Sequence, residues 1–353
     1  MLVTRQKTLR KFWYPVMPVA MLREGPKPFT LLGERIVLWL DAAGRPAALR
    51  DRCCHRTAEL SKGFCEGDHL VCGYHGWTYD RSGRCVRIPQ SLETAIPANS
   101  RVDAYRTEAR YGYVWVALEE PLAGIPDLPE AEDPAMRHID QFYEVWRCCA
   151  FRLMENSFDM SHIAFTHRTS FGIVEQPKPE LMRIEPSEWG METYVETPVR
   201  NFGGVSESVT GSSGERTVRT MRGKWFLPFV RRLGISYPSG LRHSIITCAT
   251  PIDDRSMMCI QWCYRSDREE DVPARDIIAF DRKVTEEDRE ILESTDFDVC
   301  IDTTRRVEFH METDKPGLIM RQKLLALFRA HGEDEAFEAA AAPARAPGER
   351  ALV

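Results

Sequence analysis

The chain has 353 residues, of which 43% are hydrophobic and 28% are charged, and its formal net charge is -6. This length and composition are typical of a globular protein with room for two cores of unequal size. The acidic balance supplies no basic field, which argues against a nucleic-acid partner. Basic residues interrupt residues 2–22, so we expect neither a signal peptide nor a membrane partner, and a cytoplasmic location.

The first 120 residues show the pattern of a small all-β domain. Residues 29–40 (FTLLGERIVLWL) and 111–118 (YGYVWVAL) are rich in β-branched and aromatic side chains, and residues 80–83 (DRSG) indicate a hairpin turn. Residues 121–134 contain four prolines and no apolar period, which is typical of a linker.

The second domain is predicted to span residues 135–335 and to have an α+β fold. Apolar residues recur at helical spacing over residues 152–166, and residues 274–298 also predict a long helix. Between them, residues 189–264 return to strand patterns with glycine-rich turns. Residues 336–353 form a tail rich in alanine and proline that we expect to be disordered.

Two pairs of metal-type ligands lie in the all-β domain. Cys53 and His55 form a C-x-H pair, and Cys72 and His75 form a C-x-x-H pair. Two thiolates and two imidazoles suit either a tetrahedral zinc or a [2Fe-2S] cluster of the Rieske type. Because each pair supplies one Cys and one His, the pattern favours the Rieske cluster, while a zinc site stays open as the alternative. The remaining cysteines lack such spacing and indicate small buried side chains.

A second constellation opens the α+β domain. On a helix Asn156, Asp159 and His162 share one face, and the turn must loosen to bring His167 round to it. Two histidines and one carboxylate form the ligand set of non-heme Fe(II) oxygenases, because three coordination positions stay free for oxygen and substrate. The sequence therefore predicts a mononuclear iron centre that includes His162 and His167.

These motifs together resemble those of the Rieske non-heme iron oxygenases. The resemblance rests on residues 52–56 (RCCHR) and 72–77 (CGYHGW), on the N-x-x-D-x-x-H-x4-H string from Asn156 to His167, and on residues 12–16 (FWYPV). It implies an N-terminal all-β Rieske domain and an α+β catalytic domain, in which helices cover a curved antiparallel sheet in a helix-grip or START-like fold. It also implies that Trp77 stands behind the cluster.

The resemblance also implies roles for the carboxylates. Asp159 is expected to be no iron ligand but a catalytic bridge, hydrogen-bonded to an iron-bound histidine and through it to a cluster histidine of a neighbouring subunit. Residues 286–293 (EEDREILE) resemble the late acidic segment of vanillate and methylxanthine demethylases, which makes Asp288 the expected third ligand. Asp296 and Asp298 remain alternatives, and a solvated acidic helix face is the non-functional interpretation.

By this resemblance the protein is expected to be a monooxygenase that uses O2 to hydroxylate or oxidatively demethylate a small cyclic substrate. A ferredoxin or a flavin-dependent reductase would supply electrons, and the subunits would form a homotrimer. A cis-dihydroxylating dioxygenase and an electron-transfer protein without oxygenase activity are the alternatives. Two groups of residues each have two interpretations. Basic residues near the cluster loops form either a docking site for the electron donor or ordinary surface charge. Five aromatic residues of the second domain either line a substrate pocket or belong to the core. The basic residues are Arg52, Arg56, Lys62, Arg81, Arg84 and Arg87, and the aromatic residues are Phe202, Trp225, Phe226, Phe229 and Trp262.

Overall fold

The computed structural model describes residues 1–200, 209–210, 216–237 and 239–338. Phe202 and residues 339–353 of the predicted tail therefore lie outside the described residues. In chain order the strands are β1 Tyr14–Pro18, β2 Lys27–Leu31, β3 Glu34–Leu40, β4 Pro46–Arg50, β5 Phe64–Glu66, β6 His69–Val71, β7 Thr78–Tyr79, β8 Cys85–Arg87, β9 Ala104–Arg110, β10 Tyr113–Ala117, β11 Arg137–Trp146, β12 Leu181–Ser187, β13 Gly190–Arg200, β14 Arg216–Phe226, β15 Val230–Ser236, β16 Arg242–Pro251 and β17 Met257–Arg265. The helices are α1 Ala150–Phe158, α2 Ile163–Thr166, α3 Ala274–Leu292 and α4 Lys315–Ala330, and short 3-10 helices include Pro129–Ala131.

The N-terminal part contains two antiparallel sheets. Six strands pair in the order β1-β10-β9-β4-β3-β2, and four short strands pair in the order β5-β6-β7-β8. Tight turns set the pairing: Tyr111 and Gly112, which join β9 to β10, have φ values of 56° and 83°. Positive φ at both central residues is the geometry of a two-residue hairpin turn that matches the twist of the strands.

The C-terminal part is a seven-stranded antiparallel sheet in the order β11-β17-β16-β15-β14-β13-β12. Helices cover one face: Phe151 and Met154 of α1 lie in the main apolar cluster, and Val284 of α3 packs with Val195 and Met221 of the sheet. The predicted fold class, an all-β unit followed by an α+β unit, is confirmed. No helix in the described part of the chain has the length and apolarity that a membrane crossing requires.

The two parts share one apolar core, and the predicted linker is packed into it. Tyr113 of β10 stacks on Trp262 of β17 with ring centroids 5.0 Å apart. Leu128 in the linker is 2% exposed, and Glu130 accepts a hydrogen bond of 2.7 Å from Nε of Arg232 in β15. Residues 121–134 thus hold the two sheets together rather than separate them.

The helix predicted over residues 152–166 is broken in the structure, and that prediction was wrong in its extent. Asp159 is extended, with φ -81° and ψ 124°, and its Oδ1 accepts a hydrogen bond of 2.7 Å from the backbone N–H of Ser161. Aspartate side chains that bind nearby backbone in this way compete with helix formation. As a result only Asn156 of the four motif residues is helical, and His162 and His167 flank the single turn of α2.

The late helix is also shorter than predicted, because α3 ends at Leu292 rather than near residue 298. The hydroxyls of Ser294 and Thr295 donate to the backbone carbonyls of Ile291 and Leu292, which satisfies the free C-terminal carbonyls of the helix. Near the end of the described residues, the carbonyl of Ala336 accepts a hydrogen bond from the backbone N–H of Leu2.

Candidate metal centres and substrate cavity

The two predicted cluster loops have the same backbone turn. The N–H of Thr57 donates to the carbonyl of Cys53, and the N–H of Gly76 donates to that of Cys72, each at 3.0 Å. Thr57 and Gly76, four residues after their cysteines, have positive φ values of 58° and 72°. Each turn folds the chain back so that the Cys and the His of one loop face the other loop.

The structure brings the four predicted cluster ligands together in like pairs. Cys53 and Cys72 are each 2% exposed, and burial together with the proximity of Cys53 raises the pKa of Cys72, while the rings of His55 and His75 are 4.6 Å apart and half-buried. Nδ1 of His55 is buried without a hydrogen-bond partner. A buried imidazole nitrogen without a partner fits a nitrogen whose partner is a metal.

The spacing of these donors distinguishes between the two metals that the sequence allowed. The ligand atoms of a single zinc, bound at about 2.0–2.3 Å, lie within roughly 4 Å of one another. The donor atoms of Cys53, His55, Cys72 and His75 form no group of three that lie within 4.8 Å of one another in the described structure. The arrangement therefore fits two metal ions, one at the cysteines and one at the histidines.

Two aromatic side chains support the cluster loops. The indole of Trp77 stacks on His55, with centroids 4.6 Å apart and planes 4° apart. Tyr79 was not a predicted site residue, yet its hydroxyl lies 3.0 Å from Sγ of Cys53 and 3.3 Å from Sγ of Cys54. Burial and these two cysteines raise the pKa of Tyr79, so its hydroxyl stays protonated and can donate a hydrogen bond to a thiolate.

The second centre is a triangle of three donor atoms. Nε2 of His162 and Nε2 of His167 are 3.3 Å apart, and Oδ1 of Asp288 is 3.4 Å from the first and 3.3 Å from the second. Three ligands that bind one metal at about 2.1 Å and at right angles lie roughly 3 Å apart. The triangle is therefore a fitting face for one first-row metal ion. Asp288, rather than Asp296 or Asp298, is the carboxylate that joins the histidines.

The charges of this triangle also favour a cation. Burial by itself would lower the pKa of His162, but the carboxylates of Asp159 and Asp288 raise it to about 9. Burial would raise the pKa of Asp288, yet His162 and His167 hold it well below its usual range. The Oδ1 of Asp288 is nevertheless buried without a hydrogen-bond partner. A metal ion can take the place of the proton that the histidines otherwise keep.

Asp159 lies beside this centre and not in it. Its Oδ2 is 3.7 Å from Nδ1 of His162, which is longer than a hydrogen bond, and its side chain is 34% exposed. Asn156 lines the cavity described below. Asp159 is also part of the wall of a second groove, which is separate from this cavity.

Glu287 is a residue of this site that sequence analysis missed. Its Oε2 lies 2.8 Å from Nδ1 of His167 and accepts a hydrogen bond of 2.6 Å from Ser170 Oγ. A carboxylate on the second nitrogen of a metal-binding histidine fixes its tautomer and orientation. A metal-binding histidine generally needs an acceptor on its second nitrogen, and this need could have pointed to a nearby carboxylate. Residues 286–293 contain several carboxylates, however, and the sequence does not tell which of them contacts His167.

The metal triangle forms part of the wall of a cavity between the seven-stranded sheet and the helices. Its apolar lining is supplied by Leu153, Met160, Ile163, Phe171, Val199, Met221, Leu233, Ile235, Ile245, Phe280 and Val284. Polar side chains on the same wall are Arg219, Arg231, His243, Thr247, Gln261 and Asp281. Of the aromatic residues considered from sequence, Trp225, Phe229 and Trp262 belong to the core, which confirms the core interpretation for these three.

Comparison with known proteins identifies the family. Residues 12–102 match the family model of the Rieske [2Fe-2S] domain, and residues 146–330 match that of the vanillate O-demethylase oxygenase C-terminal domain. The chain belongs to the Rieske non-heme iron oxygenases. Methylxanthine N1-demethylase NdmA of Pseudomonas putida is 30% identical over 343 residues, which cover 94% of this chain and 93% of that protein.

A solved structure of NdmA and a second relative agree with this membership. The solved structure of NdmA superposes with a TM-score of 0.80 at 28% identity over 94% of both chains. A vanillate O-demethylase oxygenase subunit from a Pseudomonas strain is 37% identical over 162 residues, 44% of this chain and 47% of that protein. This Rieske oxygenase is therefore an enzyme of the monooxygenase type with two cofactors, a [2Fe-2S] cluster and a mononuclear iron. When bound, the cluster supplies single electrons and the iron provides the site of oxygen chemistry.

Proposed function

We propose that this Rieske oxygenase hydroxylates or oxidatively demethylates a small cyclic organic compound that binds in the cavity beside the metal triangle. The observation that carries the proposal is the position of His162, His167 and Asp288 in the wall of a mainly apolar cavity. Such a cavity excludes water from the reaction and binds an apolar ring. The relatives named for methylxanthine and vanillate demethylation support demethylation within this reaction type.

The same proposal assigns the ligands. Cys53, His55, Cys72 and His75 hold the [2Fe-2S] cluster, and His162, His167 and Asp288 hold the iron. Glu287 orients His167, Trp77 supports His55, and Asn156 borders the cavity. Residues 1–120 act as the electron-accepting unit and residues 135–335 as the catalytic unit, joined through residues 121–134. What supports these assignments is the 4.6 Å distance between the rings of His55 and His75, the close triangle of His162, His167 and Asp288, and the buried partnerless atoms Nδ1 of His55 and Oδ1 of Asp288.

Asp159 is proposed to connect the iron centre with a cluster of another subunit in a homotrimer. Its carboxylate borders a surface groove whose wall includes Phe309, and the side chains of Phe309 and Met311 are 101% and 66% exposed. Tyr74 in the second cluster loop is also 67% exposed. Exposed apolar side chains beside both centres support a subunit contact there.

The electron donor is proposed to be a ferredoxin or a flavin-dependent reductase in the cytoplasm. Two of the six basic residues near the cluster are engaged within the chain, since Arg81 pairs with Asp41 and Arg87 lies 3.4 Å from Glu66. The other four are exposed and available to an acidic partner: Arg52, Arg56, Lys62 and Arg84.

The test compares wild-type protein with His162→Ala, each reconstituted with iron, sulfide and a reductase. Oxygen consumption and formaldehyde release are measured with a panel of N-methyl and O-methyl aromatic compounds. Wild type should turn over at least one compound, and the variant should lose turnover while its cluster absorption stays. Product formation by His162→Ala would contradict the iron assignment. If the reductase reduces the cluster of the wild-type protein but no oxygen is consumed with any compound, the result would favour an electron-transfer function instead.

A further inference from the structure

An arginine without a carboxylate partner lies in the cavity wall. Arg231 is on β15, paired in register with Trp225 of β14 and Thr247 of β16, and its side chain lines the cavity. The next residue, Arg232, faces the other side of the sheet and is bound by Glu130. Because side chains alternate along a strand, the two neighbouring arginines have opposite surroundings.

The contacts of Arg231 leave most of its donors free. Among the described residues, its guanidinium has one hydrogen bond, from Nη1 to the carbonyl of Ser157 at 3.4 Å, which is at the outer limit for such a bond. Its Nε is buried without a partner. A guanidinium has five N–H donors in a planar fork, and an unpaired buried charge is costly.

Two other buried guanidiniums of the described chain, those of Arg265 and Arg321, have carboxylate partners. Nη2 of Arg265 lies 2.5 Å from Oδ2 of Asp267, and Nε of Arg321 lies 2.6 Å from Oε1 of Glu155. Arg219, also in the cavity wall, lies with its guanidinium carbon 4.8 Å from the ring centroid of Phe171, and its Nη2 is buried without a hydrogen-bond partner. Arg231 differs from Arg265 and Arg321 because no carboxylate oxygen of the described residues lies within ion-pair distance of its guanidinium, about 4 Å.

The charge at this end of the cavity is positive once the iron is bound. The two charges of Fe(II) are balanced by Asp288 and by Glu287 on His167, so the charge of Arg231 remains without a counter-charge. Arg231 and the metal triangle line the same cavity, and the guanidinium contacts Ser157 at the end of α1, five residues before His162. An anion in the cavity would lower this excess charge and accept two parallel hydrogen bonds from the guanidinium.

We propose that the substrate is a small cyclic carboxylic acid whose carboxylate is bound by Arg231 while its ring packs against the apolar cavity wall. This inference rests on the proposed function, because it names the substrate class of the same cavity. Arg231 is a specificity residue in this view. The competing explanation is that Arg231 only stabilises the fold through its contact with Ser157 near the C-terminal end of α1. The experiment below distinguishes substrate binding from this structural role.

The experiment measures binding by calorimetry, without oxygen, to the iron-loaded holoenzyme. The probes are ortho-, meta- and para-methoxybenzoate and the three corresponding methoxybenzamides, which have the same shape without the charge. For at least one pair, wild type should bind the acid about 10- to 100-fold more tightly than the amide, as expected for charge-assisted hydrogen bonds. Arg231→Met should reduce this preference to near one, and Arg231→Lys should keep part of it.

The matched control is Arg222→Met, since Arg222 is an exposed arginine of β14 and does not line the cavity. It removes the same charge from the same sheet and should leave the acid preference unchanged. If Arg231 only supports α1, Arg231→Met should lower the melting temperature and keep the preference, and the proposal fails. It also fails if wild type binds amides as tightly as acids or binds no acid of the panel. If Arg231→Met does not fold, Arg231→Lys decides, because its acid preference must fall at least several-fold.

Oxygen consumption is measured with the same compounds as a separate readout. Tight and Arg231-dependent binding of acids without turnover of any compound would contradict the proposed oxygenase function and support the present inference. Turnover restricted to the neutral amides would do the reverse, since it supports the oxygenase function and overturns the carboxylate assignment.

Discussion

The cluster loops and the iron centre are built in different ways. In the cluster region, Cys53 and Cys72 each begin the same backbone turn, and each turn supplies both a Cys and a His. In the iron centre, His167 and the carboxylate that orients it are 120 residues apart in the chain. A site made from local turns is recognisable in the sequence, whereas a site made by packing α3 against a broken helix depends on the whole domain.

The largest effect is expected at the iron triangle, and it separates the two regions directly. Asp288→Ala should abolish iron binding and turnover, because only two neutral ligands remain, while the cluster spectrum stays unchanged. Asp296→Ala is the matched control, since Asp296 lies beyond the end of α3 and should keep full iron content. Iron per chain is measured by elemental analysis and the cluster by visible absorption. Iron loss in Asp296→Ala together with normal iron in Asp288→Ala would reverse the assignment.

A smaller loss is expected one residue away. Glu287→Gln keeps the size of the side chain but removes the negative charge that faces Nδ1 of His167, so iron affinity should fall about 10- to 100-fold. Glu286→Gln is the matched control, because Glu286 is 62% exposed and lies 3.9 Å from Arg282. Iron affinity is measured by competition with a chelator. Equal affinities in the two variants would show that Glu287 does not support the centre.

The two regions also differ in how much the sequence could predict. The all-β and α+β division follows from strand and helix patterns, and the cluster loops follow from ligand spacing. The break between Phe158 and Ile163 was missed, because apolar spacing continues across it and only the contact of Asp159 with Ser161 ends the helix. The sequence also does not tell which of Arg231 and Arg232 faces the cavity, since strand register decides it and both residues have the same propensity.

A still smaller effect is expected at the contact between the linker, residues 121–134, and strand β15 of the seven-stranded sheet. Arg232→Met leaves Glu130, which is 7% exposed, without its guanidinium partner, and should lower the free energy of unfolding by about 2 kcal/mol. Neither centre includes this pair, so the cluster spectrum and the iron content should stay normal. Urea unfolding of the holoenzyme measures the change.

The pH dependence of this contact has a definite sign. Burial opposes ionisation of Glu130, but the hydrogen bonds from Arg232 and Ser244 outweigh it and lower the pKa of that carboxyl. A lowered folded-state pKa stabilises the fold above the unfolded value of about 4.3, and this stabilisation is lost as the pH falls through the folded value. The difference between wild type and Arg232→Met should therefore shrink below about pH 4. A difference that grows in acid would contradict the charged pair.

The smallest effect is expected in the cluster region, where Tyr79→Phe removes one hydroxyl. That hydroxyl accepts from the backbone N–H of Cys54 and can donate to Sγ of Cys53. A hydrogen bond to a ligand sulfur stabilises the more negative, reduced cluster, so its loss should lower the reduction potential. One bond of about 1 kcal/mol corresponds to roughly 40 mV for a one-electron couple. Tyr74→Phe is the control, because the side chain of Tyr74 is 67% exposed and should leave the potential unchanged. Spectroelectrochemical titration measures both variants, and an unchanged or higher potential in Tyr79→Phe would mean that the hydroxyl does not donate to the cluster sulfur.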